Sequence, residues 1–224
     1  MITIYYHCFD MTPDDEIFVA GALKELAQHL KVDPKDDPIK LSVSIKRLAS
    51  EPDLVREVNE VLNKPNDQSC GFSYYVAKIL GIFSCHVDVG QPFTHMRLLV
   101  YCHKDSQVAK SAKSEAARMN KAPPCWGATN SPLAAAYPPK DQLKSKFTIW
   151  HEALHLLGLD ECYDENTLRR KCKCKTCVMQ YKPPLGVDEN WPSRLCDNLC
   201  GRQKRKLKNL ANKVAKVEKG KRSS

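Results

Sequence analysis

Between Phe147 and Cys162 the chain sets His151 and His155 four residues apart, with Glu152 directly after the first. On a helix that spacing puts both imidazoles on one face, one turn apart, within reach of a single metal ion. A carboxylate beside the first ligand can point at a water on the ion and take its proton. Gly158 comes three residues after the second histidine. A residue tolerant of the left-handed conformation stops a helix there and lets the chain turn back with a third ligand. Asp160, Glu161 and Cys162 are the candidates within reach. The plainer alternative is a buried amphipathic helix whose histidines are only hydrogen-bonded. Phe147, Ile149, Trp150, Ala153, Leu154, Leu156 and Leu157 cover most of this helix, so burial is expected. A buried strip of two histidines and a glutamate calls for a metal ion or a dense hydrogen-bond network.

A second constellation follows at once. Six of the eleven cysteines fall between residues 162 and 200: Cys162, Cys172, Cys174, Cys177, Cys196 and Cys200. Thiolates packed this densely hold zinc in tetrahedral four-cysteine sites when the compartment is reducing. An odd total cannot pair completely, and the first residues show neither a basic segment nor a sustained apolar run of the secretory kind. A cytoplasmic protein with thiols rather than disulfides is therefore expected. Free thiols or an oxidised cluster are the alternatives.

In these features the chain resembles the metzincin metallopeptidases, and among them the archaemetzincins most closely. The metzincin pattern HExxHxxGxxH is matched over its first eight positions by residues 151–158. Cys162, then Cys177-Val178-Met179, then Cys196 and Cys200 follow in the archaemetzincin order. The resemblance spans residues 147–200 and departs in three places. Glu161 stands at the third-ligand position, where metzincins mostly carry histidine, with Asp160 as its adjacent competitor. Fourteen residues separate Cys162 from Cys177 where the family has four, and the last pair is C-x3-C instead of C-x2-C. The resemblance implies a catalytic zinc on His151, His155 and Glu161, and a structural zinc on Cys162, Cys177, Cys196 and Cys200. It also implies a methionine turn at Met179 and a transition-state role for Tyr181. Cys172 complicates the cysteine set, because Cys172-x4-Cys177 also fits the family spacing if the insertion lies earlier.

The rest of the chain must position these groups. Residues 1–9, rich in Ile, Thr, Tyr and Phe, read as a strand, and Thr12-Pro13-Asp14-Asp15 opens a helix to about Leu30. Its core side is read as Ile17, Ala20, Leu23, Leu26 and Leu30, with His29 on the surface. Residues 33–38 read as a turn, 40–48 as a strand and 52–62 as a helix. Residues 72–80 are ambiguous between strand and helix, 96–102 read as a buried strand, and 105–120 as a helix. His86, His95 and His103 then fall in or near strands as ordinary polar residues. Residues 122–139 form the one long stretch without periodicity, a loop in which Trp126 and Tyr137 could line a cleft. The fold class expected is α+β: a mixed twisted sheet layered with helices and carrying a cysteine-rich C-terminal subdomain.

Charge separates the last segment from the rest. Residues 202–224 carry ten Lys/Arg and one Glu, so this tail holds the whole net charge of +9 and residues 1–201 balance to zero. Leu207, Leu210, Val214 and Val217 recur at helical spacing within it. The tail reads as a helix docked on its own core, a basic arm for a polyanion, or a solvated extension. The organisation expected is a metallopeptidase domain over 1–201 with a basic tail over 202–224. Its function would be zinc-dependent cleavage of a peptide or protein substrate, with Glu152 as general base. The alternative is a non-catalytic, zinc-stabilised module whose tail binds nucleic acid or another polyanion. No apolar run suits a membrane helix; the longest uncharged run, 122–139, contains five prolines.

Overall fold

In the computed structural model the N-terminal run of Ile, Thr and Tyr becomes strand β1 (Ile2–Phe9). Helix α1 (Pro13–Lys31), β2 (Val43–Arg47), α2 (Pro52–Asn63), α3 (Phe72–His86) and β3 (His95–Tyr101) follow. Then come β4 (Gly127–Asn130), β5 (Leu133–Ala136), α4 (Gln142–Leu156) and α5 (Gly201–Arg222). The structure describes residues 1–9, 11–31, 39–49, 51–63, 72–86, 95–101, 127–130, 133–136, 142–164, 169–180, 191, 195 and 197–222. The expected turn at 33–38 and helix at 105–120 lie outside the described residues, as do His103, Trp126 and Tyr137.

The five strands form one sheet in the order β2-β1-β3-β5-β4. All neighbours are parallel except β4, which runs antiparallel to β5. Parallel strands need both faces covered, and β1 shows how this is done. Ile2, Ile4 and Tyr6 point into the core shared with α1 and α4. Thr3 and His7 point the other way, where His7 meets Phe83 of α3 edge to face. Helices therefore lie on both faces, as a mixed, layered α+β arrangement requires.

Helix α1 begins with a capping box. Thr12 Oγ1 accepts from the Asp15 amide at 3.2 Å, and the Thr12 amide donates back to Asp15 at 3.2 Å. Its buried stripe is Val19, Ala22, Leu23, Leu26 and Leu30. Ile17 is 69% exposed, which corrects its expected place in the core. A reading in steps of three drifts off a 3.6-residue period, and two residues from Val19 is nearly the opposite face. His29 is only partly exposed and rests edge-on against Trp150. Trp150 donates in turn to the Ala22 carbonyl at 2.8 Å, tying α4 to α1.

Two further expectations change. Residues 72–86 are helical throughout, so His86 ends a helix instead of neighbouring a strand; its Nε2 sits 3.2 Å from Glu57. The stretch read as an aperiodic loop contains the β4–β5 hairpin. Its strands are four residues each and rich in alanine, with little strand propensity; pairing of β5 with β3 decides the outcome.

Residues 201–222 form one helix whose first half packs on the core. Leu207 is fully buried, Leu210, Ala211 and Val214 are half-buried against it, and Val217 is exposed. Near its far end Glu218 pairs with the amino group of Met1. Leu207→Ala should lower unfolding free energy by about 2–5 kcal/mol, since it empties a packed site. Val217→Ala should change it by less than about 0.5 kcal/mol. Urea unfolding of both variants checks this; equal effects would mean the helix does not dock. No described helix is long and apolar enough to cross a membrane.

Candidate metal centres

Helix α4 delivers the two histidines, and its end orients the second. Gly158 has φ +82°, and the turn is closed by Leu159 N–H to Leu154 O (3.1 Å) and Gly158 N–H to His155 O (2.8 Å). These are the paired bonds of a Schellman cap with glycine at C′ and buried Leu159 completing its apolar contact. The space around Gly158 is open, so glycine is needed there for its backbone angle. The same turn presents the Leu159 carbonyl to His155 Nδ1 at 2.7 Å. His151 Nδ1 bonds the Val178 carbonyl at 2.9 Å. A carbonyl only accepts, so each Nδ1 carries a proton and each ring turns its Nε2 inward, where it donates to Glu161 or, once deprotonated, offers a lone pair to an ion.

Those two nitrogens are 3.0 Å apart, and Glu161 joins them. Its carboxylate lies 3.0 Å from His155 Nε2 and 3.3 Å from His151 Nε2. Glu161 Oε2 is buried without a hydrogen-bond partner among the described residues. Burial acts against the charged forms, yet the His151 and His155 hydrogen bonds hold the Glu161 carboxyl down at about 2. Burial likewise presses His151 downward, but the hydrogen bond and charge of Glu161, with the charge of Glu152, lift it to about 9. The pocket draws positive charge to its centre. Donors about 2.0–2.1 Å from a tetrahedral zinc stand roughly 3.3–3.4 Å apart, so this triad fits such an ion. Glu152, one residue from His151, is buried at 2% exposure.

The loop back from the helix builds the second group. Cys162 N–H donates to the Met179 carbonyl at 2.7 Å, which sets the segment after the helix beside 177–179. Tyr163 bridges to Arg170, and Lys171 N–H donates to Cys162 O at 2.7 Å. The bridge and this bond bring Cys172 back to Cys162. The sulfurs of Cys162, Cys172, Cys177 and Cys200 lie within 4.8 Å of one another, with Cys162 3.5 Å from both Cys177 and Cys200. Four sulfurs about 2.3 Å from one tetrahedral zinc stand roughly 3.8 Å apart, so this set fits as well. Hydrogen bonding from Cys177 outweighs burial and, with the Gln203 amide, brings the Cys162 thiol down to about 5. Burial pushes Cys172 up to about 12, and the bond to Cys162 pushes Cys177 up.

Of the residues singled out in the sequence, His151, His155 and Glu161 form one group. Asp160 points elsewhere, to Arg202 at 2.7 Å and Lys206 at 2.5 Å. Cys162, Cys177 and Cys200 come together with Cys172, while Cys174 turns to Thr176 at 3.8 Å. Met179 is fully buried in the turn between the two groups. Cys196 and Tyr181 lie outside the described residues. Gln203 was not foreseen: it is fully buried and bonds Cys162 Sγ at 3.3 Å. Its place four residues before Leu207, on the stripe that docks α5, is the signal that could have found it.

No family model matches this chain, and no curated protein does. Among solved structures, the crystal structure of archaemetzincin from Methanopyrus kandleri is similar, with 14% identity and a TM-score of 0.45. The match covers 94% of this chain and 96% of that one. So loose a likeness bears no weight on function, which has to be read from the side chains.

Proposed function

We propose that the chain is a zinc-dependent metallopeptidase in which His151, His155 and Glu161 hold the ion and Glu152 is the general base. One observation carries the reading. Two imidazole Nε2 atoms and a carboxylate converge within 3.0–3.3 Å at the end of a buried helix, with a buried glutamate beside the first histidine. A divalent ion held there supplies Lewis acidity toward a water and toward the peptide carbonyl it attacks. Glu152 takes the proton of the attacking water and hands it to the leaving amine. The Val178 and Leu159 carbonyls fix both rings in one tautomer, so the inward nitrogens need no reorganisation. Glu161, being anionic, makes the ion a weaker acid than a third imidazole would. Cys162, Cys172, Cys177 and Cys200 hold a second, structural zinc beneath the loop that carries Glu161. Tyr181, by its place two residues after Met179, is the group proposed to stabilise the anionic transition state.

Glu152→Gln keeps the size and polarity of the side chain and removes its basicity. Cleavage of a mixed peptide library should fall by about 10²–10⁴-fold, the usual worth of a general base, with zinc content unchanged. Unaltered cleavage with zinc in place would sink the assignment. Cleavage by neither protein would favour a zinc-stabilised module acting through the exposed basic side chains of α5.

A further inference from the structure

The residues 160–162 are where the two centres meet. Glu161 faces the histidines, Cys162 faces the other sulfurs, and three side chains from the first turns of α5 reach this short segment. Arg202 and Lys206 pair with the Asp160 carboxylate. Asp160 is 53% exposed and Arg202 52%, and ion pairs so exposed are screened and hold geometry weakly. Gln203 differs in kind. It is fully buried, and its amide nitrogen donates to the Asp160 carbonyl at 2.5 Å and to Cys162 Sγ at 3.3 Å. These acceptors bracket Glu161 on both sides. An amide nitrogen has two N–H groups, so both bonds form at once. Turning the amide over would set its oxygen against a carbonyl and a sulfur, both acceptors, so the orientation is fixed. Gln203 Oε1 has no hydrogen-bond partner among the described residues, and a buried acceptor left alone costs stability. A leucine would continue the apolar stripe of Leu207 without that cost. The two donors are what glutamine adds.

We propose that Gln203 is a positioning residue that couples the two centres: by holding the Asp160 carbonyl before Glu161 and the Cys162 sulfur after it, it keeps the Glu161 carboxylate on the histidines. The inference rests on the reading of His151, His155 and Glu161 as metal ligands. Partners of this outer kind are worth about 10–100-fold in metal affinity.

Cobalt(II) is the probe, because sulfur ligation gives intense near-ultraviolet charge-transfer bands and nitrogen–oxygen ligation gives only weak visible ones. The full chain, Gln203→Leu, Gln203→Glu and Leu207→Ala are titrated. Both Gln203 variants should bind cobalt at the histidine centre about 10–100-fold more weakly and shift the charge-transfer band. Leu207→Ala, which loosens the same helix but leaves the Gln203 hydrogen bonds to 160–162 in place, should lose stability and keep both signals. If Gln203→Leu fails to fold, Gln203→Glu, which keeps the shape, carries the test. Parent-like affinity and an unshifted band in the folded Gln203 variants overturn the proposal. So does an equal loss in Leu207→Ala, which would reduce the effect to helix docking. A parent chain with no cobalt at the histidine centre defeats the proposed function itself, and this inference with it.

Discussion

Cys177→Ser is expected to release the ion of the cysteine centre and to unfold the chain from about residue 160 onward. The sulfur is fully buried and 3.5 Å from Cys162. No named helix or strand lies among the described residues between 157 and 200, so metal binding would supply the order. Apparent binding free energies of structural zinc are about 10–16 kcal/mol at pH 7, far above the stability margin of a domain. A serine hydroxyl is a poor zinc ligand, and much of that energy would be lost. The damage should spread to the histidine centre, because Val178, the next residue, gives its carbonyl to His151 and its amide to Asn198 O at 2.7 Å. Elemental analysis should find zinc falling from two ions per chain to one or none, with a melting temperature lower by many degrees. Cys172→Ser should behave alike, whereas Cys174→Ser should keep both ions, since its sulfur faces Thr176. Two ions and a parental melting temperature in Cys177→Ser would end the case for a metal in the cysteine cluster.

What could be read in the sequence was whatever local rules decide. The Thr12 cap, the stop at Gly158 and the apolar cover of α4 each depend on residues within one or two turns, and their positions were legible. The apolar residues named around His151 are all buried. Elements decided by distant partners were not legible. The β4–β5 hairpin exists because β5 pairs with β3, 36 residues earlier in register, and its alanines announce nothing. The family spacing proposed Cys196 for the sulfur set, and the described residues bring in Cys172. Cys172 reaches the set because Tyr163 pairs with Arg170, which no local pattern encodes, and Cys196 lies outside the described residues. Gln203 is the sharpest example. A glutamine in a lysine-rich segment looks like part of a solvated face until the helix docks and buries it.

Glu161→Ala should weaken zinc binding at the histidine centre by more than about a hundredfold and abolish hydrolysis, while Asp160→Ala should cost less than about tenfold. The two acids are neighbours, and the sequence left the choice between them open. In the fold they face different ways. Asp160 is largely exposed, and Lys206 first, then Arg202, holds its carboxyl below the usual range. Removing it loses exposed ion pairs, worth about 0–1 kcal/mol. Glu161 sits within 3.3 Å of both Nε2 atoms, with one oxygen lacking a hydrogen-bond partner among the described residues. Removing a direct ligand must cost more than the 10–100-fold that an outer-shell partner is worth. Alanine also leaves two nitrogens 3.0 Å apart with no negative charge to share the ion. Glu161→His should keep the metal, with a neutral ligand set that makes it a stronger Lewis acid, so hydrolysis per bound zinc should hold or rise if the ring reaches. Competition with a chromophoric chelator gives the affinities, and the peptide library gives the rates. If Asp160→Ala loses the ion and Glu161→Ala retains it, the ligand is misassigned by one residue. If both retain it, the third donor comes from elsewhere in the chain, and the three-ligand centre proposed here is wrong.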